Sequence, residues 1–246
     1  MRWQRMRSRS ATLRDDRLTF SHPRRNLFHA LPVNKQEAGC AGNRSFANHP
    51  SKLMSGESKN QRVAILVTDG FEQSELTEPL EMLRRNGAEV DIISLRSGEI
   101  QGMQRKEKRN KVSLDIALDQ GKADNYTALG LSEGLANPDV LHNHPLSIRV
   151  VRQFAGAKEP IAAICHGPWT LIQADAVRGR RMTSWPLLKT DLRSVGAEWV
   201  NEEVVVDQRL VTSQEADDLP AFCARMLEQL SGAGDSRLAE IRHPTQ

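Results

Sequence analysis

The residues best placed to do chemistry are Cys165 and His166, which directly follow a short apolar run at residues 160–164. Such a run has the length of a buried strand, and Pro168 suits the first turn of a helix because its missing N–H would have no intrahelical partner there. A cysteine on this sharp strand-to-helix turn would project from the carboxyl edge of a sheet, where α/β proteins bind ligands. The helix N-terminus favours a thiolate, free backbone N–H groups can hold an oxyanion, and histidine transfers protons near neutral pH. The pattern alone leaves a second interpretation open, a buried and inert cysteine in front of a helix.

The elements around this turn predict a parallel sheet. Residues 63–67 form an apolar run typical of a strand covered on both faces, residues 75–86 carry leucines at helical spacing, and residues 90–95 form a second strand. This βαβ opening favours an α/β fold. Further elements are expected as a hairpin within 98–118 with a charged tip at 105–111, strands at 126–131, 160–164, 181–184, 203–206 and 209–213, and helices at 145–154, 169–176, 187–195 and 217–230.

Charge divides the chain into two unlike parts. Residues 1–58 carry 11 Lys/Arg and 4 Asp/Glu, whereas the remainder carries 23 and 27, so the sequence pI of about 8.9 reflects the N-terminal segment. That segment has no hydrophobic period, and we expect a disordered basic arm or upstream sequence that is not native, with Met54 as an internal start; organelle targeting is a third, less favoured interpretation. We expect one domain over residues 59–231 and a polar tail over 232–246.

Composition excludes several function classes. No run approaches the roughly 20 apolar residues of a membrane-spanning helix, so we expect no membrane partner. The chain has 3 cysteines, too few for a disulfide framework, which fits a reducing compartment and predicts a cytoplasmic protein. There is no nucleotide-binding loop, so no cofactor is expected, and the basic pI gives no ground for specific nucleic-acid binding. His142 and His144 lie in a polar segment without other ligands at suitable spacing, so we expect no metal site.

The residues around the turn resemble a known family. Residues 163–168, Ala-Ile-Cys-His-Gly-Pro, are similar to the nucleophile elbow of the PfpI family of intracellular cysteine proteases and deglycases, which has the class I glutamine amidotransferase-like fold and is related to the Parkinson-associated deglycase. The resemblance covers nearly all of 60–230 and continues, in order, through residues 69–76, 136–139, 183–186, 196–200, 211–213 and 217–222. It implies a flavodoxin-like three-layer α/β/α sandwich with a mostly parallel central sheet.

The resemblance also implies a role for each matching residue. Cys165 is implied as the nucleophile, His166 as its acid/base partner, and Glu75 as the acid whose carboxyl reaches the sulfur. Asp139 lies near the position of a third acid in some relatives, although Asn-Pro-Asp also reads as simple turn chemistry. Gly134 and His166 are implied as the oxyanion-hole donors. For Glu75, the alternative is an acid that merely favours a helix N-terminus.

The implied activity is attack on a reactive carbonyl such as methylglyoxal, or on its early adducts with proteins and nucleotides, in a stress-protective deglycase or glyoxalase role. Peptide hydrolysis through an acyl-enzyme is the other implied activity. A redox-sensing or chaperone-like stress protein, and a non-catalytic relative kept for assembly, are the alternatives. The resemblance further implies self-association as a dimer or hexamer.

Two departures from the family pattern predict an assembled but impaired site. Glu133 precedes Gly134 where the family has a second glycine, so a side chain enters the oxyanion loop. Glu133 would be strained if the backbone at this position requires a positive φ. If its carboxylate points into the expected oxyanion hole, it would oppose the formation of an oxyanion. Residues 214–216, Gln-Glu-Ala, replace the usual Arg-Lys-Pro and remove positive charge near the expected pocket rim.

Overall fold

The computed structural model describes residues 61–134 and 140–232. The expectations for residues 1–58, for Asp139 and for nearly all of the C-terminal tail fall outside these ranges. Within them, no helix combines the length and apolar character needed to cross a membrane.

The described residues form a central sheet of seven strands in the order β11-β12-β8-β7-β1-β3-β6, in which only the β11–β12 pair is antiparallel. The strands are β1 (Arg62–Leu66), β2 (Phe71–Glu72), β3 (Glu89–Ser94), β4 (Glu99–Gln104), β5 (Glu107–Ser113), β6 (Ile116–Ala117), β7 (Ala128–Glu133), β8 (Ile161–Cys165), β9 (Arg181–Met182), β10 (Glu198–Trp199), β11 (Val204–Asp207) and β12 (Leu210–Ser213). The helices are α1 (Gln73–Arg85), α2 (Pro145–Ala157), α3 (Pro168–Gln173), α4 (Lys189–Ser194) and α5 (Leu219–Leu230).

The sheet lies between two helical layers because alternate residues of its strands are apolar on both faces. In β1 and just after it, Val63, Ile65 and Val67 pack in one buried cluster with leucines of α1 and with Phe222 of α5. Ala64 and Leu66 pack in a second cluster, with α2, α3 and α4. These two clusters are the two halves of the predicted α/β/α sandwich.

The five longer parallel strands follow the order β3-β1-β7-β8-β12, the 2-1-3-4-5 order of flavodoxin-like folds. The strand order reverses between β1 and β7, and ligands of such folds bind outside the carboxyl ends of the strands at this point. Cys165 ends β8, the strand next to β7. The fold prediction is confirmed. In this fold the carboxyl ends of β1, β7 and β8 lie at the same edge of the central sheet.

The predicted hairpin exists, but it belongs to a separate three-stranded sheet. β4 and β5 pair with each other, and β4 also pairs with β2, just before α1. Asp69 fixes this sheet to the end of β1, because its carboxylate accepts from the backbone N–H of Gln101 at 2.9 Å. The hairpin therefore supports the chain where it enters α1.

The expected strand at 181–184 is shorter than predicted, with only Arg181–Met182 in the β9–β10 pair. The next N–H groups find other acceptors: Thr183 donates to the Thr212 hydroxyl at 2.9 Å, and Trp185 donates to the Cys165 carbonyl at 2.9 Å. The chain leaves the ladder here and crosses the end of β8 instead.

Candidate active site

Cys165 occupies a strained turn at the end of β8. Its φ of 59° lies in the left-handed region, which is unusual for a residue with a Cβ and occurs chiefly where surrounding structure enforces it. The enforcing contacts are the hydrogen bond from Gly167 N–H to the Ile164 carbonyl, at 2.9 Å, and that from Trp185 to Cys165 itself. Regular alternation would put Cys165 on the face opposite to Ile164, but both belong to the cluster on the α1 side. The turn thus directs the thiol toward α1.

Glu75 lies in the first turn of α1 and hydrogen-bonds the Cys165 side chain. The residue is 4% exposed, and its Oε2 atom has no hydrogen-bond partner within 61–134 and 140–232. Burial first, and then the negative charges of Glu72 and Glu215, raise the pKa of this carboxyl to about 8 in spite of the hydrogen bond to Cys165, which lowers it. Glu75 is therefore a neutral acid at pH 7, able to donate a hydrogen bond to sulfur.

The expectation that the helix N-terminus holds Cys165 as a thiolate is wrong for this resting arrangement. Burial raises the pKa of the thiol well above its usual value, and the Glu75 carboxyl adds to this rise only at a pH where it is ionised. The backbone N–H of His166 hydrogen-bonds the sulfur and lowers the pKa of the thiol, but it does not compensate for these effects. The sulfur consequently needs a base before it can attack a substrate.

His166 is placed to be that base. Its Nδ1 atom lies 3.2 Å from Cys165 Sγ, and its ring is flanked by Trp169 and Trp185, with centroid separations of 6.5 and 6.1 Å. Burial lowers the pKa of His166, and the nearby His142 lowers it further. The imidazole is accordingly neutral near pH 7 and can accept the thiol proton at the nitrogen facing sulfur.

Gly134 lies at the end of β7, where a side chain would not fit. A Cβ there would overlap the Gly70 carbonyl oxygen and approach Phe71 Cα to 2.6 Å. The ladder between β7 and β8 pairs Glu133 with Cys165, so Gly134 follows directly beyond the elbow position. Gly134 therefore lies one residue beyond the ladder position of Cys165, packed against the backbone of Gly70 and Phe71.

Glu133 points into the layer of α2 and α3. The residue is 2% exposed, its carboxyl accepts a short hydrogen bond from the Thr170 hydroxyl, and its Oε2 lies 3.7 Å from His142 Nδ1. Its φ is not positive, so the strain considered for a non-glycine residue does not arise. The carboxyl group is buried under the first turn of the elbow helix, against Thr170 and His142.

His142 is a residue that sequence reasoning placed wrongly. It was expected in a solvated segment, but it is 4% exposed and stacks on Trp169 with ring centroids 4.3 Å apart. Thr170, the hydroxyl partner of Glu133, was missed altogether. A usable signal was present: Glu133 ends an otherwise apolar strand, and a carboxyl buried there requires polar partners.

Gln214 and Glu215 both make hydrogen bonds that hold the chain at this edge of the sheet. The Gln214 side-chain amide donates to Thr183 Oγ1 at 2.9 Å and to Asn201 Oδ1 at 3.0 Å. Glu215 caps the turn before α5 and contributes to the raised pKa of Glu75. The departure at 214–216 therefore adds negative potential at the Glu75 carboxyl.

Known proteins share this arrangement of elements. A sequence model of the DJ-1/PfpI family matches residues 61–229. The chain is 38% identical over 172 residues to protein/nucleic acid deglycase 2 of Escherichia coli K12, across 70% of this chain and 98% of that protein. It is 35% identical over 172 residues to the putative cysteine protease YraA of Bacillus subtilis, across 70% of this chain and 99% of that protein. The crystal structure of Drosophila melanogaster DJ-1beta superposes with a TM-score of 0.63 at 25% identity, over 70% of this chain and 91% of that one.

The matched segment contains the elbow, α1 with Glu75 and the closing helix α5. The family match includes all four described residues to which the sequence assigned roles. The chain belongs to the DJ-1/PfpI family.

Proposed function

We propose that the protein is a cysteine-dependent enzyme that acts on small reactive carbonyls, methylglyoxal and its early adducts with amines and thiols. The observation that carries this proposal is that the Cys165 sulfur contacts both a hydrogen-bond donor and a proton acceptor. The donor is the protonated Glu75 carboxyl, and the acceptor is the neutral His166 ring. A relative with this domain is named a protein/nucleic acid deglycase, which supports the same substrate class.

The first step follows from these protonation states. His166 Nδ1 accepts the thiol proton, and the sulfur attacks the carbonyl carbon, so that a C–S bond forms and the carbonyl π electrons move to oxygen. Backbone N–H groups at Gly134 and His166 are the proposed donors to that oxygen, which then takes a proton to give a hemithioacetal. Glu75 donates a hydrogen bond to the sulfur while it carries charge.

Burial favours a small carbonyl over a peptide. Cys165 is 6% exposed and His166 is 4% exposed, so little of the sulfur is accessible to a bulky substrate. A peptide bond would need an extended groove over the elbow, whereas a three-carbon dicarbonyl would not. Peptide hydrolysis, the activity in the name of the Bacillus relative, is for this reason the second choice.

The raised pKa of Cys165 also argues against a redox sensor, since such sensors rely on an exposed thiolate. The departure at Glu133 supports an impaired rate. An acidic group buried next to Gly134 disfavours negative charge on the bound oxygen, and so slows the step in which that charge develops.

Substrate competition tests the proposal. The full chain is assayed at pH 7.5 with methylglyoxal, with a methylglyoxal adduct of N-acetyl-lysine and with a fluorogenic peptide amide. We expect turnover of the two carbonyl substrates and none of the peptide. Turnover of the peptide alone would overturn the proposal. A bell-shaped pH profile is expected as well, with activity falling through pH 8 as Glu75 ionises beside the sulfur.

A further inference from the structure

A cavity of about 400 Å³ lies at the sheet edge opposite to Cys165. Its apolar lining includes Ile161 and Leu210, where β8 and β12 begin, together with Leu171 of α3. Cys165 is at the far end of β8, roughly 13 Å away at about 3.3 Å per residue. The cavity therefore belongs to no part of the proposed active site.

The charged residues that line this cavity are mostly cationic. They are Arg152, Lys158, Arg178, Arg180 and Arg209, against the acids Glu159 and Asp175. Residues 59–246 carry 23 basic and 27 acidic side chains, so the domain as a whole is slightly acidic. Five cations on one concave surface are therefore unexpected in a domain with a slight excess of acidic residues. Concave surfaces lined by one sign of charge concentrate ligands of the other sign.

Two of these cations have structural duties. Arg152 donates to the carbonyls of Gln173 and Ala174 at the end of α3, at 3.1 and 3.3 Å. Arg180 pairs with Asp207 at 3.3 Å. Helix ends with free carbonyls attract cations, and this explains Arg152 and its neighbourhood without any ligand.

Lys158 and Arg178 have no such explanation. Both side chains are exposed, and neither makes a side-chain hydrogen bond or ion pair within the described parts of the chain. Lys158 occupies the left-handed C-cap of α2, with φ 58°, a position where glycine is the usual residue. Two uncommitted cations thus lie on the lining of one cavity that also offers an apolar wall.

We propose that this cavity binds a phosphorylated small molecule, with its phosphate held by Arg178 and Lys158. Guanidinium groups bind phosphate oxygens in pairs and an ammonium adds a point charge, so the two side chains suit a phosphate monoester. The volume falls in the range of about 300–1,000 Å³ typical of small-molecule sites and exceeds what a single phosphate needs. The organic part of the ligand packs on Ile161, Leu171 and Leu210.

Calorimetric titration of the full chain tests this site. The probes are inorganic phosphate and two phosphate monoesters, glucose 6-phosphate and AMP. The uncharged parents of the two esters, glucose and adenosine, are the controls. We expect at least one phosphate ester to bind with a Kd below about 1 mM and more tightly than its parent and inorganic phosphate. Arg178→Gln should weaken this binding about tenfold, whereas Arg149→Gln, an exposed change on α2 outside the cavity, should not.

Cys165→Ala should leave the binding unchanged, which separates this site from the proposed active site. The proposal is overturned if no phosphate ester binds below that limit, or if the Arg149 and Arg178 variants weaken binding equally. Binding of a single-stranded oligonucleotide without binding of any monoester would also overturn it, since it would identify a nucleic-acid surface instead.

Discussion

Replacement of Glu75 by glutamine should stabilise the protein in a pH-dependent way. Burial raises the pKa of this carboxyl from 4.5 to about 8. Below pH 4.5 the group is protonated in both the folded and the unfolded chain and has no effect on the free energy of unfolding. Between pH 4.5 and 8 only the unfolded chain ionises, so the free energy of unfolding falls as pH rises. Above pH 8 both states are ionised and the loss is constant.

The size of the effect follows from the shift. A change of about 3.5 pH units at about 1.4 kcal/mol per unit gives roughly 5 kcal/mol in full, of which roughly 4 kcal/mol develops between pH 5 and pH 8. Glutamine has nearly the same shape and no charge at any pH. The Glu75→Gln variant should therefore gain roughly 4 kcal/mol over the parent as pH is raised from 5 to 8.

Urea unfolding at pH 5, 6.5 and 8 measures this difference directly. Glu78→Gln is the matched control, because Glu78 lies on the same helix and is exposed. Its pH dependence should follow that of the parent. If the Glu75 variant and the parent lose stability in parallel between pH 5 and 8, Glu75 is not a buried neutral acid and the reasoning fails.

Other substitutions test the surroundings of the sulfur. Glu215→Gln keeps a cap before α5 but removes a negative charge that raises the pKa of Glu75. The alkaline limb of the pH–activity profile should therefore move to lower pH. An unchanged limb would mean that Glu215 does not affect Glu75. Glu133→Gln keeps an acceptor for Thr170 and removes the acidic group next to Gly134, so kcat/KM for methylglyoxal should rise about tenfold. A fall would contradict the proposed impairment. Gly134→Ala should lower the free energy of unfolding by about 3 kcal/mol, because its Cβ would meet backbone atoms. Gly156→Ala, in open space on α2, should instead raise it by roughly 0.5–1 kcal/mol, as urea unfolding will show.

The fold was predictable because local signals agreed with one another. The run at 63–67 and the leucines of residues 75–86 required burial on a strand and a helix, and the structure has β1 and α1 at these positions within two residues. The elbow was also predictable, since Pro168 and the preceding apolar run both indicate a strand that turns into a helix. The boundaries of short elements were less predictable, because tertiary hydrogen bonds such as that from Thr183 to Thr212 determine where they end.

The electrostatics of the site could not be predicted from local sequence. The position of Cys165 before a helix suggested a lowered pKa, but burial raises it, and that burial depends on how α1 packs against β8. His142 looked solvated in a polar segment, yet Trp169, 27 residues away, covers it. Residues that are distant in sequence therefore determine both the pKa of Cys165 and the burial of His142.

The most direct test of the account is the rate of methylglyoxal consumption by three forms of the full chain at pH 7.5: the parent, Cys165→Ala and Cys223→Ala. Cys223 is half-buried on α5, and burial raises the pKa of its thiol to about 12, so it serves as the matched cysteine control. We predict that Cys165→Ala falls to the rate of buffer alone while Cys223→Ala keeps the parent rate. Consumption above the buffer rate by Cys165→Ala would show that this sulfur does not carry the reaction.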